Sequence, residues 1–295
     1  MLERWQRKKW IFAAESILIV SAVSACQPTP TNATEPFVET ASTYSGEILP
    51  FDTPYLLRYQ PSPLDVLSLD LSARVDNKPT ETAHIKMRYQ ISAIGDQRLF
   101  DFAIEEMTGQ KGQLLRSSDP PLITAKALAT SRGPITDADL DFPAFRGEAD
   151  VPKKGSDAYR QIVDQLKSAS IALPERPVRN GDTIDVGQNQ FMEQLFKAIG
   201  RQMPPLSHIH SNTMIGKIVG QTVRNARTFI VIDLSGSAQM VTDKAELAIG
   251  LKGYKLIDTQ TAASGPSVID VSIVVRNFQK GTMTAELIAR TDSNL

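Results

Sequence analysis

The sequence predicts an α+β protein that is mainly antiparallel β, with two similar curved-sheet, half-barrel-like units and a few short helices. Between Ala83 and Ala93, apolar and polar residues alternate almost without fault, which is typical of a strand with one buried and one solvated face. A second hairpin pattern follows near residue 214, and helical spacing of apolar residues is confined to two short segments. These three observations favour sheet as the main architecture.

The chain opens with the pattern of an export signal. Its first ten residues include four basic side chains, and a mostly apolar segment runs from Ile11 to Ala25. That segment is shorter than the about 20 residues that a membrane-spanning helix needs, and Glu15 interrupts it. We therefore expect residues 1–25 to be a signal peptide that is cleaved between Ala25 and Cys26.

The last residues of this signal read Val23, Ser24, Ala25 and Cys26, which resembles the lipobox of bacterial lipoproteins. The resemblance implies that the Cys26 thiol is acylated, with palmitate or a similar chain, and that it anchors the protein in a lipid bilayer. An ordinary signal peptide cut beside a cysteine is the alternative. By the sorting rule of such lipoproteins, Gln27 implies the periplasmic leaflet of the cell outer membrane.

Composition and spacing divide the rest of the chain. The formal net charge is −1, which gives no footprint for nucleic acid. Residues 26–50 follow as the lipidated cysteine and a flexible tether rich in Pro, Thr, Ser and Glu. We expect a first β unit over 51–150, and a helix with a second β unit over 151–295.

The two predicted β units share a similar segment. Residues 87–109 align without a gap on residues 214–236, and the alignment pairs Met87 with Met214 and Gly109 with Gly236. We interpret this similarity as an internal repeat. Chance similarity between two amphipathic hairpins is the alternative.

Two short helices are predicted. Ser156 can cap the first, in which Tyr159, Ile162, Val163 and Leu166 fall at helical spacing. The second covers about residues 190–200 and has a wide apolar face. We expect that face to fill the concave side of a curved sheet, where an apolar ligand would also lie. The predicted ligand-lining residues are Phe191, Leu195, Ile199, Ile91 and Ile218.

Two patterns are weak candidates for a metal site, and no metal or other cofactor is predicted. On a strand, His208 and His210 would point the same way and could share a transition-metal ion. A polar surface loop is the favoured interpretation. A calcium-loop spacing is formed by Asp137, Asp139, Asp141 and Glu148. Phe142 stands where such a loop needs glycine, so an acidic connector is favoured there.

The sequence carries no motif of nucleophilic catalysis, no phosphate loop and no dinucleotide fingerprint. We therefore expect a protein that is not an enzyme, and a hydrolase is the least favoured alternative. At the level of architecture, the chain resembles half-barrel envelope lipoproteins that carry or receive acyl chains. The main hypothesis is a non-catalytic structural or assembly protein of the envelope, with a protein partner. The alternative is a carrier of a lipid or another apolar ligand.

Overall fold

The structure, a computed structural model, describes residues 43–108, 113–146, 151–169, 172–184, 209–213, 215–241, 245–277 and 281–293. These ranges contain thirteen strands, one α-helix and one short 3-10 helix, Pro143–Phe145. The strands are β1 (Ser62–Val75), β2 (Lys78–Ile94), β3 (Gln97–Thr108), β4 (Leu114–Arg116), β5 (Ile123–Thr130), β6 (Ile135–Asp141), β7 (Thr183–Ile184), β8 (Ile209–Asn212), β9 (Ile215–Arg224), β10 (Arg227–Val241), β11 (Ala245–Asp258), β12 (Ser264–Asn277) and β13 (Gly281–Ser293).

All the described strands belong to one sheet. Their order is β6-β5-β3-β2-β1-β13-β12-β11-β10-β9-β7, with β4 beside β3 and β8 beside β10. The pairs between neighbours are antiparallel. The terminal strands of this order, β6 and β7, do not pair with each other, so the described sheet is open. The predicted antiparallel β architecture is therefore confirmed.

The first and last strands pair in the middle of this sheet. In the β1–β13 ladder, Leu71 lies opposite Ala289 and Leu69 lies opposite Thr291. Both strands also pair with their neighbours in sequence, β2 and β12. The β1–β13 pair therefore joins the N-terminal and C-terminal halves into one surface.

The predicted alternation in β2 is present. Ile85, Met87, Tyr89 and Ile91 are all buried on one face, because successive side chains of a strand point to opposite sides of the sheet. Gly95 makes the turn into β3 with a positive φ of 57°, a backbone conformation that glycine adopts without a steric penalty. The hairpin that the sequence predicts here is confirmed.

Strand β10 is buried on both faces. Phe229 and Val231 belong to a cluster that includes Ile91, whereas Ile230 and Ile232 belong to another cluster. All four residues of β10 are at most 1% exposed. An unbroken apolar run, rather than an alternating one, is the expected pattern for such a strand.

The two hairpins of the proposed repeat differ in register. The second hairpin, β9–β10, turns at Asn225 and Ala226, which have positive φ angles of 48° and 61°. The gap-free alignment would instead place Thr222 opposite Gly95 of the first turn. Duplication of one β unit therefore stays a prediction.

The predicted first helix is confirmed as α1, Asp157–Ala169. The Ser156 hydroxyl accepts a hydrogen bond from the Tyr159 N–H at 3.2 Å, which satisfies one of the unpaired donors of the first turn. Ile162 and Val163 are buried against the sheet in one cluster with Leu140 of β6. The predicted helix at residues 190–200 lies outside the described residues.

The N-terminal part of the described chain reaches the sheet along strand β9, which lies next to the terminal strand β7. Leu49 and Gln221 exchange two backbone hydrogen bonds of 2.8 Å, and the Tyr44 hydroxyl lies 3.0 Å from that of Thr222. The last part of the predicted tether therefore packs on the body, and residues 1–42, with the predicted signal and Cys26, lie outside the described residues. None of the helices in the described ranges is long and apolar enough to cross a membrane.

Candidate ligand-binding cavity

A cavity of 240 Å³ lies between one face of the sheet and helix α1. Its walls are mostly apolar, and it is partly open to solvent. The side chains that β1, β2 and β3 contribute include Leu69, Met87, Ile91, Phe100, Phe102 and Ile104. Because these residues also form the buried face of the alternating strands, the cavity is continuous with the core.

The cavity shows that the sheet is curved. Leu140 of β6 and Lys255 of β11 both line it, although six strands separate β6 from β11 in the sheet order. In a flat sheet, strands about 4.8 Å apart would place these two strands roughly 34 Å from each other. Both strands can border one small cavity only if the sheet bends around it. The described strands thus form one curved sheet, and its division into two similar units stays a prediction.

Helix α1 covers the cavity with Ile162 and Leu166. Its position is fixed by the Tyr159 hydroxyl, which donates to Asp139 Oδ1 at 2.5 Å and accepts from the Leu140 N–H at 2.9 Å. The Lys154 ammonium donates to Asp139 Oδ2 at 2.8 Å. These hydrogen bonds tie the start of the helix to strand β6.

The same network shifts two pKa values in opposite directions. Hydrogen bonds from Lys154 and then from Tyr159 stabilise the charged form and lower the pKa of Asp139. Burial, followed by the hydrogen bond to that carboxylate, raises the pKa of Tyr159. At neutral pH the network therefore contains an ionised carboxylate and a neutral phenol.

Aromatic rings stiffen one wall of the cavity. Tyr59 and Phe100 meet edge to face with ring centroids 5.0 Å apart. Phe102 continues the row, with its centroid 6.1 Å from that of Phe100 and 6.4 Å from that of Tyr89. Such contacts are in the range at which aromatic pairs stabilise each other.

A buried polar cluster lies beside this wall. Asp65 pairs with Tyr89 across β1 and β2, and the two side chains are 4% and 6% exposed. Burial, and then the Asp65 carboxylate, raise the pKa of Tyr89 far above its usual value. Asp258 is 1% exposed and pairs with Arg227 at 3.5 Å.

One end of the cavity is polar. Thr291 of β13 lies opposite Ser267 of β12, and Ser267 lies opposite Lys255 of β11. Directly opposed residues point to the same face of a sheet, and all three line the cavity together with Ser264. The apolar cavity therefore ends at three hydroxyl groups and one ammonium.

The predicted ligand-lining residues fall into three groups. Ile91 lines the cavity and is 1% exposed. Ile218 is fully buried in a different part of the core, with Leu57 and Val178, and it does not line this cavity. The remaining three, Phe191, Leu195 and Ile199, lie outside the described residues.

Sequence reasoning missed the lining residues of α1 and of the polar end. Ile162 and Leu166 were recognisable as the apolar face of a predicted helix, but nothing in the sequence showed what that face covers. Lys255 is one of several lysines in alternating strands. Only the pairing of β11 with β12 places it on the cavity side.

The acidic metal candidates form ion pairs instead of a loop site. Strand β6 carries Asp137, Asp139 and Asp141, so this stretch is a strand and not the acidic connector that the sequence favoured. Its extended backbone also differs from the loop that a calcium site with this spacing would need. The pairs are Asp137–Lys167 at 3.8 Å, Asp139–Lys154 at 2.8 Å and Asp141–Arg146 at 2.9 Å. Across the described part of the chain, no three His, Cys, Asp or Glu side chains could hold a metal ion.

The other metal candidates are not tested by this geometry. Glu148 and His208 lie outside the described residues. His210 lies on β8, where its side chain is outside the description. The remaining histidine, His84, forms a hydrogen bond of 2.7 Å between its Nδ1 and the Asp70 carboxylate.

No protein-family model matches the chain, and no curated protein matches it significantly. Among solved structures, the chain is similar to the crystal structure of a LolA superfamily protein from Nitrosomonas europaea. The identity is 11% and the TM-score is 0.17, over 80% of this chain and 88% of that chain.

Proposed function

We propose that the protein is a non-catalytic binding protein for an acyl chain or a similar apolar ligand, held in the cell envelope by acylated Cys26. The observation that carries this proposal is the apolar cavity between the curved sheet and α1. Of the two non-catalytic functions that the sequence left open, the carrier is the one that needs such a cavity. The lipobox and Gln27 favour the outer membrane or the adjoining periplasm as the location of the protein.

The size of the cavity favours a slender ligand. Its volume of 240 Å³ lies just below the roughly 300–1,000 Å³ of sites for drug-sized ligands. Each methylene group moved from water into such a site gains about 0.8 kcal/mol. Eight methylenes would gain about 6 kcal/mol before the entropy cost of binding, which suffices for a reversible carrier.

A second surface supports the assembly function as the alternative. Strand β9 exposes Ile215, Val219 and Val223, and Val223 is 61% exposed. Ile48 and Leu49 are also exposed, and the backbone of Leu49 pairs with β9. Exposed apolar patches of this kind often mark protein contacts.

Blocking the cavity tests the carrier function. Ala125 lines the cavity opposite Phe102, so Ala125→Phe would fill it. Ala103 is the next residue on β3 and faces the other side of the sheet, which makes Ala103→Phe a matched control. The mature chain with Cys26→Ser is titrated with the neutral fluorescent probe N-phenyl-1-naphthylamine.

We expect wild-type protein and Ala103→Phe to bind the probe alike, and Ala125→Phe to bind it at least tenfold more weakly. Folding of each variant is verified by circular dichroism. Equal binding by Ala125→Phe and wild type would contradict the carrier function. In that case the exposed stripe on β9 would become the first surface to examine.

A further inference from the structure

We propose that the polar end of the cavity, at Lys255, binds the anionic head group of an amphiphile whose acyl chain occupies the apolar part. The head group is a carboxylate or a phosphate. This inference rests on the proposed carrier function and names its ligand class. It excludes neutral lipids and cationic amphiphiles as preferred ligands.

The first argument is the arrangement of side chains across the sheet. Lys255, Ser267 and Thr291 stand opposite one another on three adjacent strands and share the cavity face. The next partner in the same row is Leu69 of β1, which begins the apolar wall. A ligand lying along this row would therefore meet an ammonium and two hydroxyls at one end and aliphatic surface at the other.

The second argument is charge. Lys255 is the only charged side chain among the described residues that line the cavity. It is half-buried, and within the described ranges its ammonium forms no hydrogen bond or ion pair, whereas Lys252 on the opposite face pairs with Asp270 at 3.4 Å. Because a half-buried cation gains from a charged partner, an anion entering the cavity would be bound preferentially here.

The third argument is hydrogen bonding. The hydroxyls of Ser264, Ser267 and Thr291 can each donate to a carboxylate or phosphate oxygen. Ser267 is 8% exposed, so a ligand that reaches it has left bulk water. Hydrogen bonds to charged groups contribute more than neutral ones, which gives the polar end its selectivity for an anion.

A series of ligands with one twelve-carbon chain and different head groups tests the inference. The mature protein with Cys26→Ser is titrated with laurate, dodecyl phosphate, dodecanol and dodecyltrimethylammonium, each displacing N-phenyl-1-naphthylamine. We expect the two anions to bind about tenfold or more tightly than dodecanol, which corresponds to ~1.4 kcal/mol. The cation should bind most weakly, and the ratio of laurate to dodecyl phosphate tells which head group is preferred.

Substitutions separate the head-group site from the cavity itself. Lys255→Met keeps most of the length of the side chain without its charge, and it should remove the preference for anions while dodecanol binding is unchanged. Lys252→Met, on the same strand but on the opposite face, is the control and should behave as wild type. Thr291→Val, which keeps the shape of the side chain, should lower the affinity for the two anions by a smaller factor. It replaces Lys255→Met as the test variant if Lys255→Met does not fold.

The possible failures are distinct. If dodecanol and laurate bind equally and Lys255→Met changes neither, the head-group site is refuted and the carrier function stands. If none of the four ligands displaces the probe and Ala125→Phe binds it as wild type does, the carrier function itself is refuted. If Lys252→Met also lost the preference for anions, the preference would come from the overall charge of the protein, and the head-group site at Lys255 would be refuted.

Discussion

The hydroxyl of Tyr159 offers the sharpest test of how helix α1 is held over the cavity. Tyr159→Phe keeps the ring, which is 7% exposed, and removes one atom. That atom donates to Asp139 and accepts from the Leu140 N–H. The substitution therefore removes two hydrogen bonds and creates no large cavity.

The expected magnitude follows from these two bonds. The buried N–H of Leu140 loses its partner, which costs about 1–3 kcal/mol. Asp139 keeps its ion pair with Lys154 and is more exposed, so losing the hydrogen bond from Tyr159 to this carboxylate adds up to about 1 kcal/mol. We expect Tyr159→Phe to lower the free energy of unfolding by about 2–3 kcal/mol, or Tm by roughly 5–10 °C.

Urea unfolding followed by circular dichroism measures this difference. Tyr55→Phe is the matched control, because the Tyr55 hydroxyl donates to the side-chain amide of Gln221 at 2.8 Å and leaves no buried backbone donor unpaired. That control should cost less than about 1 kcal/mol. If Tyr159→Phe were no more destabilised than Tyr55→Phe, the assigned role of the Tyr159 network in fixing α1 would be wrong.

Two further predictions concern the sheet. Burial and the Asp65 carboxylate raise the pKa of Tyr89, so the folded state holds the phenolic proton more tightly than the unfolded chain does. The contribution of Tyr89 to the free energy of unfolding is therefore complete below about pH 10. Above that pH it falls by about 1.4 kcal/mol per pH unit. Burial also raises the pKa of Tyr159 and Tyr254, so between pH 10 and 11 the free energy of unfolding of Tyr89→Phe should still fall with pH, but less steeply than that of the wild type; equal slopes would refute the assignment. For Gly253, which has a φ of 156°, an added Cβ would collide with the Val268 carbonyl oxygen, so Gly253→Ala should cost about 3 kcal/mol or more in urea unfolding. At Gly250 a Cβ meets only a serine side chain; Gly250→Ala should cost much less, and equal costs would contradict the steric argument.

Local patterns were sufficient to predict the elements that depend on near neighbours. The alternation around Tyr89 gave the face of β2 that is buried, and Ser156 gave the start of α1. Both signals are local because strand alternation and helix capping involve residues a few positions apart. The same local view misjudged the acidic run at Asp139, since a ligand spacing does not show whether the backbone is a loop or a strand.

The cavity and its polar end depend on pairings that no local pattern contains. Lys255 faces the cavity because β11 pairs with β12 in one register, and a shift of one residue would turn it to the other face. Leu69 meets Thr291 only through the β1–β13 ladder. Local patterns predict whether a segment is a strand or a helix, whereas the register of distant strands decides which side chains share the site.

The central position of β13 constrains when the protein can fold. Strands β1–β6 and β7–β12 are made first, and each half then has an open edge, at β1 and at β12, that only the last strand can join. Pairing residues as far apart as Leu71 and Ala289 demands closure of a loop that spans most of the chain, which slows folding. During synthesis from the N-terminus, the chain would therefore present two unpaired strand edges, at β1 and at β12, until β13 has been made, and only then could the two halves join into one sheet.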